Sequence, residues 1–397
     1  LIKRRYGIAL ALLVAAALLL RVGYVVTSEG SKLSHDEKNY SEQAVRLVDK
    51  GIYAYNEEVP NARVTPGYPL FVAAVVKVVG TDHLTSAQNT VRYLQCVLGA
   101  AAVLLMYALG SELWSRRAGL VAAALAAFYP TYIWSPQLIT TETLFLTAFL
   151  GMLYAQAKII RENRLRDHVA AGLLVALAVL IRPQVLPLAV VPYVIIWVRD
   201  RRLYAREIVT AVGAFALLML PWWIRNAVTL HEFVLTAKGG MGNPFLAGTD
   251  PYLKGTIDWN EAQKGDQFQE GLKRLKEGLR EDPWLWIRWF TVGKFMVIFK
   301  TPRLMLPAPF ADIFTALHLA FAWIGWLALL SFRSRPLRFL AIGLLMLVGI
   351  QLMFIPVARY AYPMYAFLML GFGYAVSVVW NRLRGTEDFG YPSEYRF

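Results

Sequence analysis

The densest run of reactive side chains in the chain is Ser34-His35-Asp36-Glu37-Lys38-Asn39-Tyr40. A carboxylate held at a membrane surface can take a proton from a hydroxyl, and a low-dielectric neighbourhood raises its basicity. Adjacent carboxylates such as Asp36 and Glu37 can also hold a divalent metal ion. The same pair equally suits the first turn of a helix, where acidic side chains accept from unpaired backbone N–H groups. Next comes Arg63-Val64-Thr65-Pro66-Gly67-Tyr68-Pro69, a turn fixed by Pro and Gly. It reads either as a ligand-bearing loop containing Arg63 and Tyr68, or as a connector into an interfacial helix. Glu142, Arg182, Arg225 beside Asn226, Lys294, Lys300 and Arg359 beside Tyr360 are charged groups at the borders of apolar runs. An acid at membrane depth is expensive and hence a candidate for function, unless it reaches water. A guanidinium can bind phosphate through two parallel hydrogen bonds; the alternative is a side chain that snorkels to the interface. Gly239-Gly240 with Gly242-Asn243 follows no strand pattern, so it is not a nucleotide-binding glycine loop. No His/Cys metal cluster, phosphate-loop motif or serine nucleophile elbow is present in the sequence.

The elements that must position these groups follow from composition. The chain has 397 residues, 57% hydrophobic and 17% charged, with a mean hydropathy of +0.45. Soluble domains are about 45–50% apolar and about 25% charged, so lipid is the expected solvent. The net charge of +14 does not point to nucleic acid, because the cations sit in short clusters between apolar runs, which is the positive-inside pattern. The single cysteine, Cys96, lies within an apolar run, so there is no disulfide framework. The first apolar stretch, flanked by Lys3-Arg4-Arg5, is too long for a signal peptide and reads as a retained helix.

With that basic end in the cytoplasm, roughly ten spans put every basic loop inside: 7–27, 91–110, 118–134, 138–157, 168–182, 184–198, 208–224, 313–331, 337–356 and 361–380. Both termini are then cytoplasmic, and the outside holds 28–90 and 225–312. Tyr68–Gly80 is too short to cross at 1.5 Å per residue. Trp284–Phe299, with Arg288 and Lys294 among tryptophans, suits a helix lying at the interface. The expected organisation is one membrane domain over 1–384 and a cytoplasmic tail over 385–397. Arg182, Arg225 and Arg359 fall at outer helix ends, exceptions to the inward bias of the cations.

In order and spacing these segments resemble the bacterial glycosyltransferases of the GT-C superfamily, related to protein O-mannosyltransferases and the lipid A aminoarabinose transferase. The resemblance rests on Asp36-Glu37 with Tyr40, Thr65-Pro66-Gly67-Tyr68-Pro69, Arg92-Tyr93-Leu94-Gln95, Tyr129-Pro130 and Thr141-Glu142. It continues through Arg182-Pro183, Pro221-Trp222 with Arg225-Asn226, Gly239-Gly240, and Arg359-Tyr360 with Pro363. Many members carry a basic residue directly before the double proline, whereas Val64-Thr65 stands there in this chain.

The resemblance implies an all-α polytopic membrane protein of GT-C type, with a long first outer loop carrying juxtamembrane helices. It implies inverting transfer of a sugar from a polyprenyl-phosphate donor to an acceptor hydroxyl on the outer face of a bacterial plasma (inner) membrane. Asp36 would be the general base, and Glu37 its neighbour or a metal ligand. Tyr40, Arg63, Tyr68, Glu142, Arg182, Arg225, Asn226, Lys294, Arg359 and Tyr360 would line the substrate site, the arginines meeting the donor phosphate. The acceptor would be a lipid, a glycan or a protein. Competing readings are a transporter or flippase, a polymerase or ligase of polyprenyl-linked glycans, and a non-catalytic assembly subunit. A transporter would place its binding groups near the bilayer midplane in paired repeats, whereas the polar groups of this sequence collect at one face.

Overall fold

The computed structural model describes residues 2–28, 32–300, 302, 306–307 and 309–385, and among them every regular element is helical. The elements up to the first large loop are α1 (Ile2–Thr27), α2 (His35–Lys50), α3 (Gly67–Val79), α4 (Leu84–Leu113), α5 (Arg116–Phe128), α6 (Pro130–Trp134), α7 (Glu142–Glu162), α8 (Leu165–Ile181), α9 (Val191–Asp200) and α10 (Ala205–Leu230). The large late segment holds α11 (Gly242–Gly248), α12 (Trp259–Ala262), α13 (Gln267–Glu281), α14 (Pro283–Arg288) and α15 (Lys294–Lys300). Three further helices, α16 (Phe310–Leu330), α17 (Arg335–Leu352) and α18 (Tyr362–Leu383), complete the bundle. The expected tail lies, beyond Gly385, outside the described residues.

Among the described residues, seven helices are long and apolar enough to cross a bilayer: α1, α4, α7, α10, α16, α17 and α18. The pair α5 and α6 makes an eighth that is bent by 62°. The hairpin of α8 and α9, expected as two further spans, has helical arms of 17 and 10 residues and is not among these eight. Its turn begins at Arg182-Pro183 and runs as 3-10 helix through Pro183–Val190, because Pro183 and Pro187 cannot continue an α-helical ladder. Helix α3 has 13 residues, about 20 Å at 1.5 Å per residue, which is short of a crossing.

Two elements differ from their expected form. Helix α4 starts seven residues before the predicted Val91, which adds the buried Gln88 to the helix one turn ahead of the buried Arg92. The predicted span 118–134 is broken, not straight, because Pro130 brings no N–H to the ladder. The break leaves backbone carbonyls in an apolar setting, where an unpaired polar group is costly. Arg21 of α1 answers them: Nη2 donates to Ala126 O at 3.0 Å, and Nη1 donates to Ala127 O at 3.3 Å and to Ala17 O at 2.9 Å. Gly99 makes room, since a Cβ there would lie 2.7 Å from Arg21 Nε.

Hydrogen bonds gather the basic clusters at one end of the bundle. Glu112 at the end of α4 pairs with Lys158 and Arg161 at the end of α7. Arg199 of α9 donates to Ile160 O, and Arg117 of α5 donates to Asn381 Oδ1 of α18. Because successive helices reverse direction, α2, α3, the 135–141 segment, the Arg182 turn and the large late segment all lie at the opposite end.

Candidate active site

Four charged side chains converge at that opposite end. Asp36, in the first turn of α2, has Oδ2 2.8 Å from Arg359 Nη1. Arg359 belongs to the short turn Ala358–Ala361 that leads into α18, and its Nε lies 3.8 Å from Glu142 Oε1. Glu142 opens α7 and accepts on the same oxygen from Arg182 Nη2 at 2.6 Å. Arg182 closes α8; its Nε donates to Thr141 Oγ1 at 2.8 Å, and its guanidinium stands 5.4 Å over the Phe145 ring. The result is an alternating row, Asp36–Arg359–Glu142–Arg182, built from the ends of four helices remote in sequence.

Exposure divides the row in two. The Glu142 and Arg182 side chains are 8% and 10% exposed, whereas Asp36 and Arg359 are 34% and 31% exposed. Breaking a buried pair by removing one partner costs about 3–5 kcal/mol, while a solvated pair is worth about 0–1 kcal/mol. The inner pair is therefore fixed and the outer pair is exchangeable.

Tyrosines wall the outer pair. The Tyr40 ring lies 5.5 Å from Tyr55 and 5.0 Å edge-on from Tyr68. Burial pushes the Tyr40, Tyr55 and Tyr68 hydroxyls above their ordinary range, so all three stay protonated near neutrality and none can act as a base. Tyr55 Oη accepts from Asn39 Nδ2 at 3.4 Å. The side chain in this wall able to accept a proton at the open side is the Asp36 carboxylate.

The second carboxylate of the expected pair turns away. Glu37 is 4% exposed; its Oε2 accepts from Ser34 N at 2.8 Å and its Oε1 from Ile139 N at 3.0 Å. It caps α2 and ties that helix to the segment preceding Glu142. Gln95 holds the same segment, donating from Nε2 to Pro136 O at 2.9 Å and Leu138 O at 2.8 Å. Arg92 Nε donates to Gln137 O at 2.9 Å. Tyr68 is fully buried and donates to Gln95 Oε1 at 3.1 Å, so it supports the site from behind. The Pro-Gly turn docks on the end of α8: Thr65 Oγ1 donates to Ile181 O at 2.9 Å, and a Cβ on Gly67 would meet Leu180 O at 2.7 Å.

A divalent cation at Asp36 and Glu37 does not fit this donor set. Both Glu37 oxygens accept from backbone N–H groups, Asp36 faces a guanidinium, and two arginines bracket the next carboxylate. No group of three His, Cys, Asp or Glu side chains is gathered as a metal site among the described residues.

Of the other expected site residues, Tyr360 lies beside the row, its ring 5.5 Å from the Arg359 guanidinium. Arg63 pairs with Glu57 at the surface. Arg225 donates to Tyr53 O at 2.7 Å and Asn61 O at 2.9 Å and stacks on Tyr53 and Trp222. It clamps the 53–61 loop onto α10, with the buried Asn226 accepting a third bond at 2.9 Å. Lys294 is fully buried and donates to Leu352 O at 2.8 Å, closing the end of α17, with its ammonium 3.4 Å from the centre of the Phe290 ring. None of these four joins the charged row. Tyr55, Asn39 and Thr141 also border it and were not among the expected site residues; Asn39 lies one turn from Asp36 on α2 and Thr141 directly precedes Glu142, whereas nothing local in sequence links Tyr55 to Asp36.

Over residues 63–224 the chain matches the family model described as dolichyl-phosphate-mannose-protein mannosyltransferase. Solved structures match across nearly all of it. One is ArnT from Cupriavidus metallidurans bound to undecaprenyl phosphate, at TM-score 0.58 and 15% identity, covering 94% of this chain and 61% of that one. Another is the oligosaccharyltransferase AglB of Archaeoglobus fulgidus with an inhibitory peptide and a dolichol-phosphate, at TM-score 0.57, 18% identity and coverage of 96% and 51%. The oligosaccharyltransferase of that organism with Zn and sulfate matches at TM-score 0.58, 18% identity and coverage of 95% and 50%. Comparison with curated proteins gives no match. The chain spans about half to three-fifths of the length of these solved structures. At such identities the likeness establishes the fold alone, an all-α multi-pass membrane architecture shared with these structures.

Proposed function

We propose that this chain, with its GT-C fold, transfers a glycosyl group from a polyprenyl-phosphate-linked donor to an acceptor hydroxyl. The observation that carries the reading is the 2.8 Å pairing of Asp36 with Arg359. It sets a proton acceptor beside a phosphate-binding cation at the bundle end away from the basic clusters. The positive-inside tendency supports reading that end as the non-cytoplasmic face, and with it the reading of a bacterial inner-membrane protein with both termini cytoplasmic.

The acceptor oxygen attacks the anomeric carbon while the carbon–oxygen bond to phosphate breaks. The hydroxyl proton passes to an Asp36 carboxylate oxygen, and the charge left on phosphate is met by Arg359. One displacement from the face opposite the leaving group inverts the anomeric centre. General-base assistance is worth about 10²–10⁴-fold, and a cation aimed at the departing oxygen lowers the barrier further. Arg182 sits in the inner pair and holds Glu142, which in turn holds Arg359. The relatives' names support a polyprenyl or dolichyl phosphate as the lipid; the sugar, and a protein, lipid or glycan acceptor, are what the assay identifies.

The test uses the full chain in nanodiscs with a panel of radiolabelled polyprenyl-phosphate sugars and the three acceptor classes. Transfer by the wild type and a loss of at least about 100-fold in Asp36→Asn are expected. Transfer by Asp36→Asn at the wild-type rate removes the base and with it this reading.

A further inference from the structure

Arg359 is shared. Nη1 serves Asp36 at 2.8 Å, and Nε faces Glu142 at 3.8 Å, short of a hydrogen bond. A phosphate is met best by two parallel guanidinium donors; taken from Nη1 and Nη2, this two-point contact competes with Asp36 for Nη1 and leaves Nε facing Glu142. The outer pair is about one-third exposed on each side and hence weak, whereas Arg182 is held by Glu142, Thr141 and the Phe145 face. Arg359 is the cation of the row that can change partners.

Asp36 Oδ2 is engaged by Nη1 of the same side chain that the leaving phosphate needs, so a hydroxyl approaching that oxygen must displace a charge-assisted hydrogen bond. Resting on the function proposed above, we infer that Arg359 makes the base conditional on the donor: the donor phosphate draws the guanidinium off Asp36 and so frees that carboxylate to take the acceptor proton. Glu142 is the positioning residue that keeps Arg359 in place through the exchange. Donor then precedes acceptor in productive turnover, and an acceptor entering alone meets a carboxylate already engaged by Arg359.

This predicts competition between Asp36 and phosphate for one guanidinium, readable without turnover. Binding of a sugar-free polyprenyl phosphate to the full chain in nanodiscs is titrated for wild type, Asp36→Asn, Arg359→Gln and the double variant. Asp36→Asn is expected to tighten binding by about fivefold, the equivalent of about 1 kcal/mol for a one-third-exposed pair. Arg359→Gln is expected to weaken binding, and Asp36→Asn added to it is expected to change nothing further. If Arg359→Gln does not fold, as judged by its unfolding midpoint, Arg359→Lys replaces it, with a smaller tightening on adding Asp36→Asn. Weaker or unchanged binding in Asp36→Asn overturns the exchange, and so does an equal tightening in both backgrounds, which is plain charge repulsion. Either result, with transfer still abolished in Asp36→Asn, leaves the proposed function standing; transfer retained in Asp36→Asn is the separate failure of that function.

Discussion

Replacing Glu142 with Gln tests the ordering of the charged row by depth. The carboxylate accepts from Arg182 at 2.6 Å with both side chains about nine-tenths buried. Removing one partner of such a pair costs about 3–5 kcal/mol, because the surviving charge is left desolvated. The glutamine carbonyl can still accept one hydrogen bond, worth about 1 kcal/mol, and Arg182 keeps Thr141 Oγ1 and the Phe145 face. A net loss of about 2–4 kcal/mol follows. Arg359→Gln breaks the one-third-exposed pair instead and should cost no more than about 1 kcal/mol. Removing both inner charges in Glu142→Leu/Arg182→Met should recover most of the stability but none of the transfer. The assay is thermal unfolding of the full chain in nanodiscs, joined to hydrogen exchange over residues 138–145 and 178–184. The faster exchange should be confined to those two segments in the single inner variant. Equal losses for Glu142→Gln and Arg359→Gln would refute the division into a fixed and an exchangeable pair.

Gly67→Ala should lower transfer at least tenfold with the bundle intact, because its Cβ would stand 2.7 Å from Leu180 O and push the turn off the end of α8 beside Arg182; the rate and the unfolding midpoint measured together check this. Glu37→Gln keeps an acceptor but loses the charge that binds two backbone N–H groups, so a fall in stability of about 1–3 kcal/mol is expected, with a partial loss of transfer instead of the loss caused by Asp36→Asn. Burial pushes the Lys294 ammonium down to about 7, against an ordinary value of about 10.4 in the unfolded chain. Between those values the unfolded state binds the extra proton, so stability should rise with pH from about 7 to about 10, and Lys294→Met should flatten that rise in pH-dependent unfolding scans.

The membrane architecture was legible because the apolar runs and the basic clusters are separately periodic along the chain, and parity between them admits few solutions. What the parity could not show was the break at Pro130, since a tilted span and a broken one have the same hydropathy; Arg21 within the first apolar run was the signal, a cation with no reason to be there unless it meets free carbonyls. Asp36 and Glu37 looked equivalent because adjacent residues share composition and differ only in direction, by about 100° around a helix. The spacing Ser34-x-x-Glu37 was the available discriminator, being the pattern in which the third helical residue folds back on the N-cap. Arg225 three residues after Trp222 likewise marks a pair that stacks on one helix face. Tyr55 and Thr141 left no such trace, because their approach to Asp36 and Arg182 is set by tertiary packing of segments far apart in sequence.

The site is made of helix ends, and that has a mechanical consequence. A helix end brings unpaired backbone groups, and each of those near the row is held by a buried polar side chain: Glu37 on Ile139 N, Gln95 on Leu138 O, Thr65 on Ile181 O, Arg21 on Ala126 O. These tethers are cheap to make and expensive to break, since a buried donor or acceptor left alone costs about 1–3 kcal/mol. They fix where α2, α7 and α8 begin and end, and so fix Asp36, Glu142 and Arg182. Arg359 is different: it sits in a short turn, and the partners of its guanidinium are side chains. A scaffold that immobilises three members of a charged row and leaves the fourth on a turn concentrates its freedom in the one cation facing the open side. In the proposed reaction, rigid placement serves the proton acceptor, whose distance to the attacking oxygen must be set to within a hydrogen bond. Mobility serves the cation, which must meet a phosphate whose charge grows as the bond breaks.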